Sequence, residues 1–133
     1  MDEVGAGLTI LLVEDHDEVR EITVDLLREF GHQVFAVPNA ESGLASLAER
    51  DFDALMTDVN LPGISGLLLA KEVAARFPTI PIIITSGHKG ISETILLREL
   101  QLQVTVLLKP YEFETLRRAL VKVTQFREIN RRA

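Results

Sequence analysis

Four apolar, β-branched runs each end in residues that can do chemistry. "LTILLV" runs into Glu14 and Asp15, "ALMT" into Asp58, "IIIT" into Ser86 and Gly87, and "VTVLL" into Lys109 and Pro110. Adjacent carboxylates at the end of a buried run repel each other and lose hydration if burial follows them, so Glu14 and Asp15 need a partner. Taken singly, each residue has an ordinary explanation: a carboxylate starts a turn or caps a helix, a serine turns the chain, a lysine is a solvated charge. If the runs are neighbouring strands, however, three carboxylates, a hydroxyl and an ammonium converge on one pocket. Three clustered carboxylates are stable only around a divalent cation, and oxygen ligands without His or Cys favour Mg²⁺ or Mn²⁺. A lysine and a hydroxyl facing that cation suit an anionic third species such as a phosphoryl group, with Asp58 as the carboxylate nucleophile that takes it.

The elements that must position these residues follow from periodicity. Short apolar runs alternate with longer stretches of helical period, which is the pattern of repeated βα units and a parallel sheet covered on both faces. Strands are expected at Thr9 to Val13, "QVFAV", "DALMTDV", "PIIITS" and Val104 to Leu108. A first helix runs from about Asp17, which is better placed to cap it than Glu14 or Asp15, with Val19, Ile22, Leu26, Leu27 and Phe30 on one face, and stops at Gly31. Asn39 caps a second helix with Leu44, Leu47 and Ala48 inward. The loop "NLPGISG" leads to a third helix through Leu67, Leu68, Val73 and Phe77, ended by Pro78. A fourth is expected at about Ile91 to Leu100, and a last at about Glu112 to Phe126 with Phe113, Leu116, Leu120 and Val123 inward. The fold class is α/β, a doubly wound (βα)5 unit with a five-stranded parallel sheet. In such a sheet ligands bind beyond the carboxyl ends of the strands, where strand order reverses.

Composition narrows the function classes. A chain of 133 residues is one domain's worth and buries about two thirds of its unfolded surface. The 47% hydrophobic and 26% charged residues exclude a disordered chain, and the apolar runs are too short to span a bilayer, so a soluble globular domain is expected. There is no cysteine, hence no disulfide framework or thiolate metal site. The start "MDEVGAGLTI" has no basic signal-peptide region, so a cytoplasmic location is expected. With 20 acidic against 14 basic side chains, the net charge of -6 disfavours broad nucleic-acid binding and favours a protein or metal partner, with no membrane role. Residues 1–7 and 128–133 read as tails around a domain spanning 8–127.

The blocks "ILLVEDH", "LMTDVNLPGISG", "IIITSGH" and "VLLKPY" together resemble the receiver domain of two-component response regulators, in that family's order and roughly its spacing. The resemblance implies a flavodoxin-like strand order 2-1-3-4-5. It implies that Asp58 accepts a phosphoryl group from a sensor histidine kinase or a histidine phosphotransfer protein. Asp15 would be a direct Mg²⁺ ligand, Glu14 would act through a metal-bound water, and Asn60 would contribute its backbone carbonyl. Ser86, followed by the small Gly87, matches the hydroxyl that swings toward the phosphoryl group, with Thr85 as runner-up. Lys109 matches the lysine that pairs with phosphoryl oxygens, Pro110 the proline after a cis peptide, and Pro62 and Gly66 the turn into the third helix. Two departures stand out: Val106 occupies the usual place of an aromatic switch, and Leu102 and Gln103 replace a small pair. The implied output is a change in the surface of the fourth helix, fifth strand and last helix, read by a downstream protein, with the chain a monomer or a phosphorylation-dependent dimer and not an enzyme. The alternative is a small Mg²⁺-dependent phosphatase with an Asp nucleophile, which typically needs a second Asp where this chain has Asn60.

Overall fold

The computed structural model describes residues 7–87 and 104–132. In chain order the elements are β1 (Thr9–Val13), α1 (Asp17–Glu29), β2 (Gln33–Val37), α2 (Ala40–Glu49), β3 (Ala54–Asp58), α3 (Gly66–Arg76), β4 (Ile82–Ser86), β5 (Val104–Leu108) and α4 (Phe113–Arg132). The helix expected at 91 to 100 and the Leu102-Gln103 pair lie outside the described residues. All strands pair in parallel, in the order β2-β1-β3-β4-β5. The chain leaves β1 for β2 on one side and returns to β3 on the other. Strand order therefore reverses between β1 and β3, directly beneath Glu14, Asp15 and Asp58.

Two cores lie on opposite faces of the sheet, separated by the two-residue alternation of the strands. Leu11, Val13, Leu55, Ile82 and Ile84 pack with Leu47 of α2 and Leu69 and Val73 of α3. Ile10, Leu12, Met56, Ile83 and Leu107 pack with Leu27 of α1 and Leu116, Leu120 and Val123 of α4. Every residue of β3 and β4 is buried, as expected of central strands covered by helices on both sides.

The helices depart from expectation in detail. The first is capped by His16, whose side chain accepts from the Val19 amide, while Asp17 is already helical and pairs with Arg20. Ile22 is 61% exposed because the buried line of α1 is Thr23 to Leu27, a spacing of four that leaves Ile22 about 100° away. Burial of Thr23 is tolerated because its hydroxyl donates to the Val19 carbonyl at 2.7 Å. Ala48 is likewise exposed, and Ala40, Gly43 and Leu47 form the inward line of α2. Phe113 is half exposed, with its ring 4.7 Å from that of Phe30. The last helix continues to Arg132, past the expected end near Phe126. Its added turns are rich in helix-forming Arg and Glu, and Arg127 is tied at 2.9 Å to Asp53, whose other oxygen accepts the Thr9 amide.

β2 is an edge strand, exposed at Gln33, Phe35 and Ala36. The Arg50 guanidinium lies 4.3 Å from the centre of the Phe35 ring, and the Phe52 ring is 6.1 Å from it.

Gly66, the first residue of α3, is required by a close approach: a Cβ there would lie 1.8 Å from the Asp58 carbonyl oxygen. Among the described residues Gly87 has no neighbour within 4 Å of a Cβ built there. Gly66→Ala is therefore expected to cost at least the roughly 1–3 kcal/mol of a strained insertion, and Gly87→Ala to stay within about 0.5 kcal/mol of wild type. Urea unfolding of both variants checks this, and equal midpoints would contradict the close-approach argument.

Candidate functional site

Glu14 follows β1 directly and is fastened there by its amide, which donates to the Val37 carbonyl at 3.0 Å. Only 4% of it is exposed. Its Oε2 accepts from the His16 amide at 3.2 Å, and its Oε1 accepts from Lys109 Nζ at 3.3 Å. Asp58 closes β3, is 8% exposed, and divides its two oxygens. Oδ1 accepts from the Asn60 amide at 3.3 Å, and Oδ2 from Lys109 Nζ at 3.2 Å. Asp15 is exposed. Carboxylate oxygens of Glu14, Asp15 and Asp58 all lie within 4.8 Å of one another.

Lys109 is thus the counter-charge of the cluster. Burial is the largest single influence on its ammonium and favours the neutral form, but the charges of Asp58 and Glu14 and the bonds to both outweigh it. Its pKa is held above the ordinary lysine value. The lysine leaves the sheet immediately after its amide donates to the Ser86 carbonyl at 2.7 Å, and the Lys109-Pro110 peptide is cis.

Ser86 is buried at the end of β4, beside the exposed Gly87. Thr85 faces away from this role, since its hydroxyl donates to the Thr57 carbonyl at 3.5 Å. The loop after Asp58 is fastened at both ends, by the Val59 amide on the Thr85 carbonyl and the Gly66 amide on the Val59 carbonyl. Within it Asn60 and Pro62 are exposed, and Gly63 makes the turn with φ 72°. Val106 pairs with Ile84 and is half-buried against the core.

The structure therefore brings Glu14, Asp15, Asp58 and Lys109 together, with Asn60 bonded to Asp58 through its backbone. Sequence reasoning missed two participants. Arg20 donates to the Glu14 carbonyl at 2.9 Å and to Asp17 at 2.7 Å, and its helical spacing from Asp17 was the available signal. Gly63 carries the positive φ that the loop needs.

An all-oxygen donor set with one exposed member fits a hard divalent cation, and a buried carboxylate paired with an ammonium fits an acceptor of a group with anionic oxygens. Among the described residues no helix is long and apolar enough to cross a membrane.

The family profile for the response regulator receiver domain matches residues 10–121. The sensor protein TorS of Escherichia coli K12 is 34% identical over 125 residues, 93% of this chain and 14% of TorS. The response regulator protein FleR of Pseudomonas aeruginosa is 33% identical over 107 residues, 80% of this chain and 22% of FleR. The chain thus spans under a quarter of either relative. The crystal structure of response regulator TrrA from Thermotoga maritima, in complex with Mg²⁺ and BeF, superposes with a TM-score of 0.77 over 86% of this chain and 97% of that one. At 24% identity that likeness speaks for the fold. A profile spanning most of the chain, over a sheet whose order reverses beneath its acidic cluster, leaves one assignment: the chain belongs to the response regulator receiver domain family.

Proposed function

We propose that this chain is the phosphoryl-accepting module of a two-component relay and that Asp58 is the acceptor. The observation that carries the reading is the single ammonium of Lys109 shared between Asp58 and Glu14. Asp58 Oδ1 is held by the Asn60 amide, which leaves Oδ2 to attack. As Oδ2 bonds to phosphorus, the phosphorus–nitrogen bond to a partner's phosphohistidine breaks and its electron pair returns to the imidazole. Lys109 releases Oδ2 and re-pairs with a phosphoryl oxygen, so its charge follows the anionic group. Ser86 supplies a second donor from the neighbouring strand.

Glu14, Asp15, Asp58 and the Asn60 carbonyl would hold Mg²⁺, whose charge offsets that of the carboxylate and phosphoryl oxygens. TrrA, a neighbour of the same fold, is itself in complex with Mg²⁺ and BeF, which supports Mg²⁺ as the cation. The phosphoryl group stays on the chain, so the module signals and does not release a product. Residues 8–127 form the receiver unit, its donor is a sensor histidine kinase or a histidine phosphotransfer protein, and it works in the cytoplasm. The chain's net charge of -6 argues against direct nucleic-acid contact.

Acetyl phosphate with Mg²⁺ is expected to add one phosphoryl group by intact mass, and Asp58→Asn to add none, because an amide is a poor nucleophile. An adduct that survives the substitution places the acceptor elsewhere.

Lys109→Met removes the cation that competes for the carboxylate oxygens, so Mg²⁺ binding should tighten by about tenfold, the equivalent of roughly 1.4 kcal/mol. Calorimetric titration checks it. Unchanged affinity would mean that the ion binds away from Asp58 and Glu14.

A further inference from the structure

The three carboxylates of the cluster are not fixed in the same way. Glu14 is anchored by its amide on the Val37 carbonyl and by side-chain bonds to the His16 amide and Lys109. Asp58 is the last residue of β3, and its oxygens accept from the Asn60 amide and Lys109. Asp15 stands outside the sheet and is exposed, and among the described residues its carboxylate makes no hydrogen bond or ion pair. Its place within 4.8 Å of the other two is therefore set by the backbone of the loop between β1 and α1.

Arg20 closes that loop. Its amide donates to the His16 carbonyl at 2.9 Å, and its side chain turns back to donate through Nη1 to the Glu14 carbonyl at 2.9 Å and through Nη2 to Asp17 at 2.7 Å. The Glu14 carbonyl belongs to the rigid peptide unit that carries the Asp15 amide, so this bond fixes the plane from which Asp15 departs. A planar guanidinium meets both oxygens at once, in a fork that a lysine ammonium does not offer. The position is otherwise a poor one for a base: Arg20 is the fourth residue of α1, where the helix dipole favours acids. Its side chain is only 22% exposed, so the fork lies on the loop and does not extend into solvent.

We propose that Arg20 is a positioning residue for Asp15, holding the Glu14-Asp15 peptide so that the one carboxylate without a side-chain anchor faces the other two. Its effect on Mg²⁺ affinity rests on the function proposed above, whereas its effect on the order of Asp15 does not. The sign of the first effect separates positioning from charge. Removing a cation beside three carboxylates would by itself strengthen Mg²⁺ binding, as for Lys109, whereas loosening a ligand weakens it.

Arg20→Met keeps an apolar stem and removes the charge and both donors. Mg²⁺ titration followed by amide shifts in NMR is expected to show binding about tenfold weaker than wild type. Arg20→Lys, which keeps the charge but not the fork, should change affinity in the same direction, and it is read in the same way if Arg20→Met does not fold. In an Asp15→Ala background, Arg20→Met should bring no further weakening, because the ligand it positions is already gone. In the metal-free protein, ¹⁵N relaxation should show a lower order parameter at the Asp15 amide of Arg20→Met, with those of Val13 and Asp58 unchanged. A folded variant that binds Mg²⁺ as tightly as wild type or more tightly overturns the proposal, as does equal weakening with and without the Asp15 side chain. Wild-type protein that takes up no Mg²⁺ overturns the metal-binding part of the function proposed above, and the order parameter then decides the positioning role alone: a fall at Asp15 upholds it and an unchanged value overturns it.

Discussion

Three carboxylates crowded at one edge of a sheet repel one another, and the ammonium of Lys109 is what allows two of them to be buried. A buried carboxylate without a partner would cost several kcal/mol or take up a proton. Glu14 and Asp58 both have partners: one cation bonds to an oxygen of each, while the backbone amides of His16 and Asn60 take another. Any group that enters the pocket must compete with that arrangement or rearrange it. The ammonium is thereby both the stabilising element of the resting site and the part that must move when the charge there changes.

The strand order makes this pairing demanding. Adjacent strands lie about 4.8 Å apart, and Lys109 stands two strands from Asp58 and three from Glu14. A long stem has to cross the end of β4 to reach either. The strand it crosses ends in a small residue, Ser86, whose carbonyl accepts the Lys109 amide at 2.7 Å. The close approach of Gly66 to the Asp58 carbonyl works from the other side, bringing the start of α3 against the backbone of Asp58. Side-chain size on the flanking loops is therefore as much a part of the site as its charges.

Much of this was legible in the sequence because the strands are five-residue, β-branched and bounded by polar residues, and a parallel sheet collects whatever follows its strands at one edge. Helix faces were less so. Counting apolar residues put Ile22 and Phe113 inside, but the buried line of α1 runs through a threonine that is satisfied by its own helix, which hydrophobicity does not register. His16 was overlooked as a cap because Asp17 is the commoner residue type for that role, yet Asp17 finds Arg20 one turn on. Asp53 with Arg127 joins residues more than 70 positions apart, and only the folded chain brings such partners together.

The edge strand β2 has a consequence of a different kind. Its outer side presents unpaired backbone groups beside an exposed phenylalanine, a template on which a second copy could continue the sheet. Arg50 lies over that ring and brings a permanent charge to the rim. Joining another strand there would require stripping water from a guanidinium, at a cost that no sheet hydrogen bond recovers. The stacked arginine thus sets a permanent charge beside the open strand, the kind of feature that discourages edge-to-edge joining and bears on colloidal behaviour more than on folding.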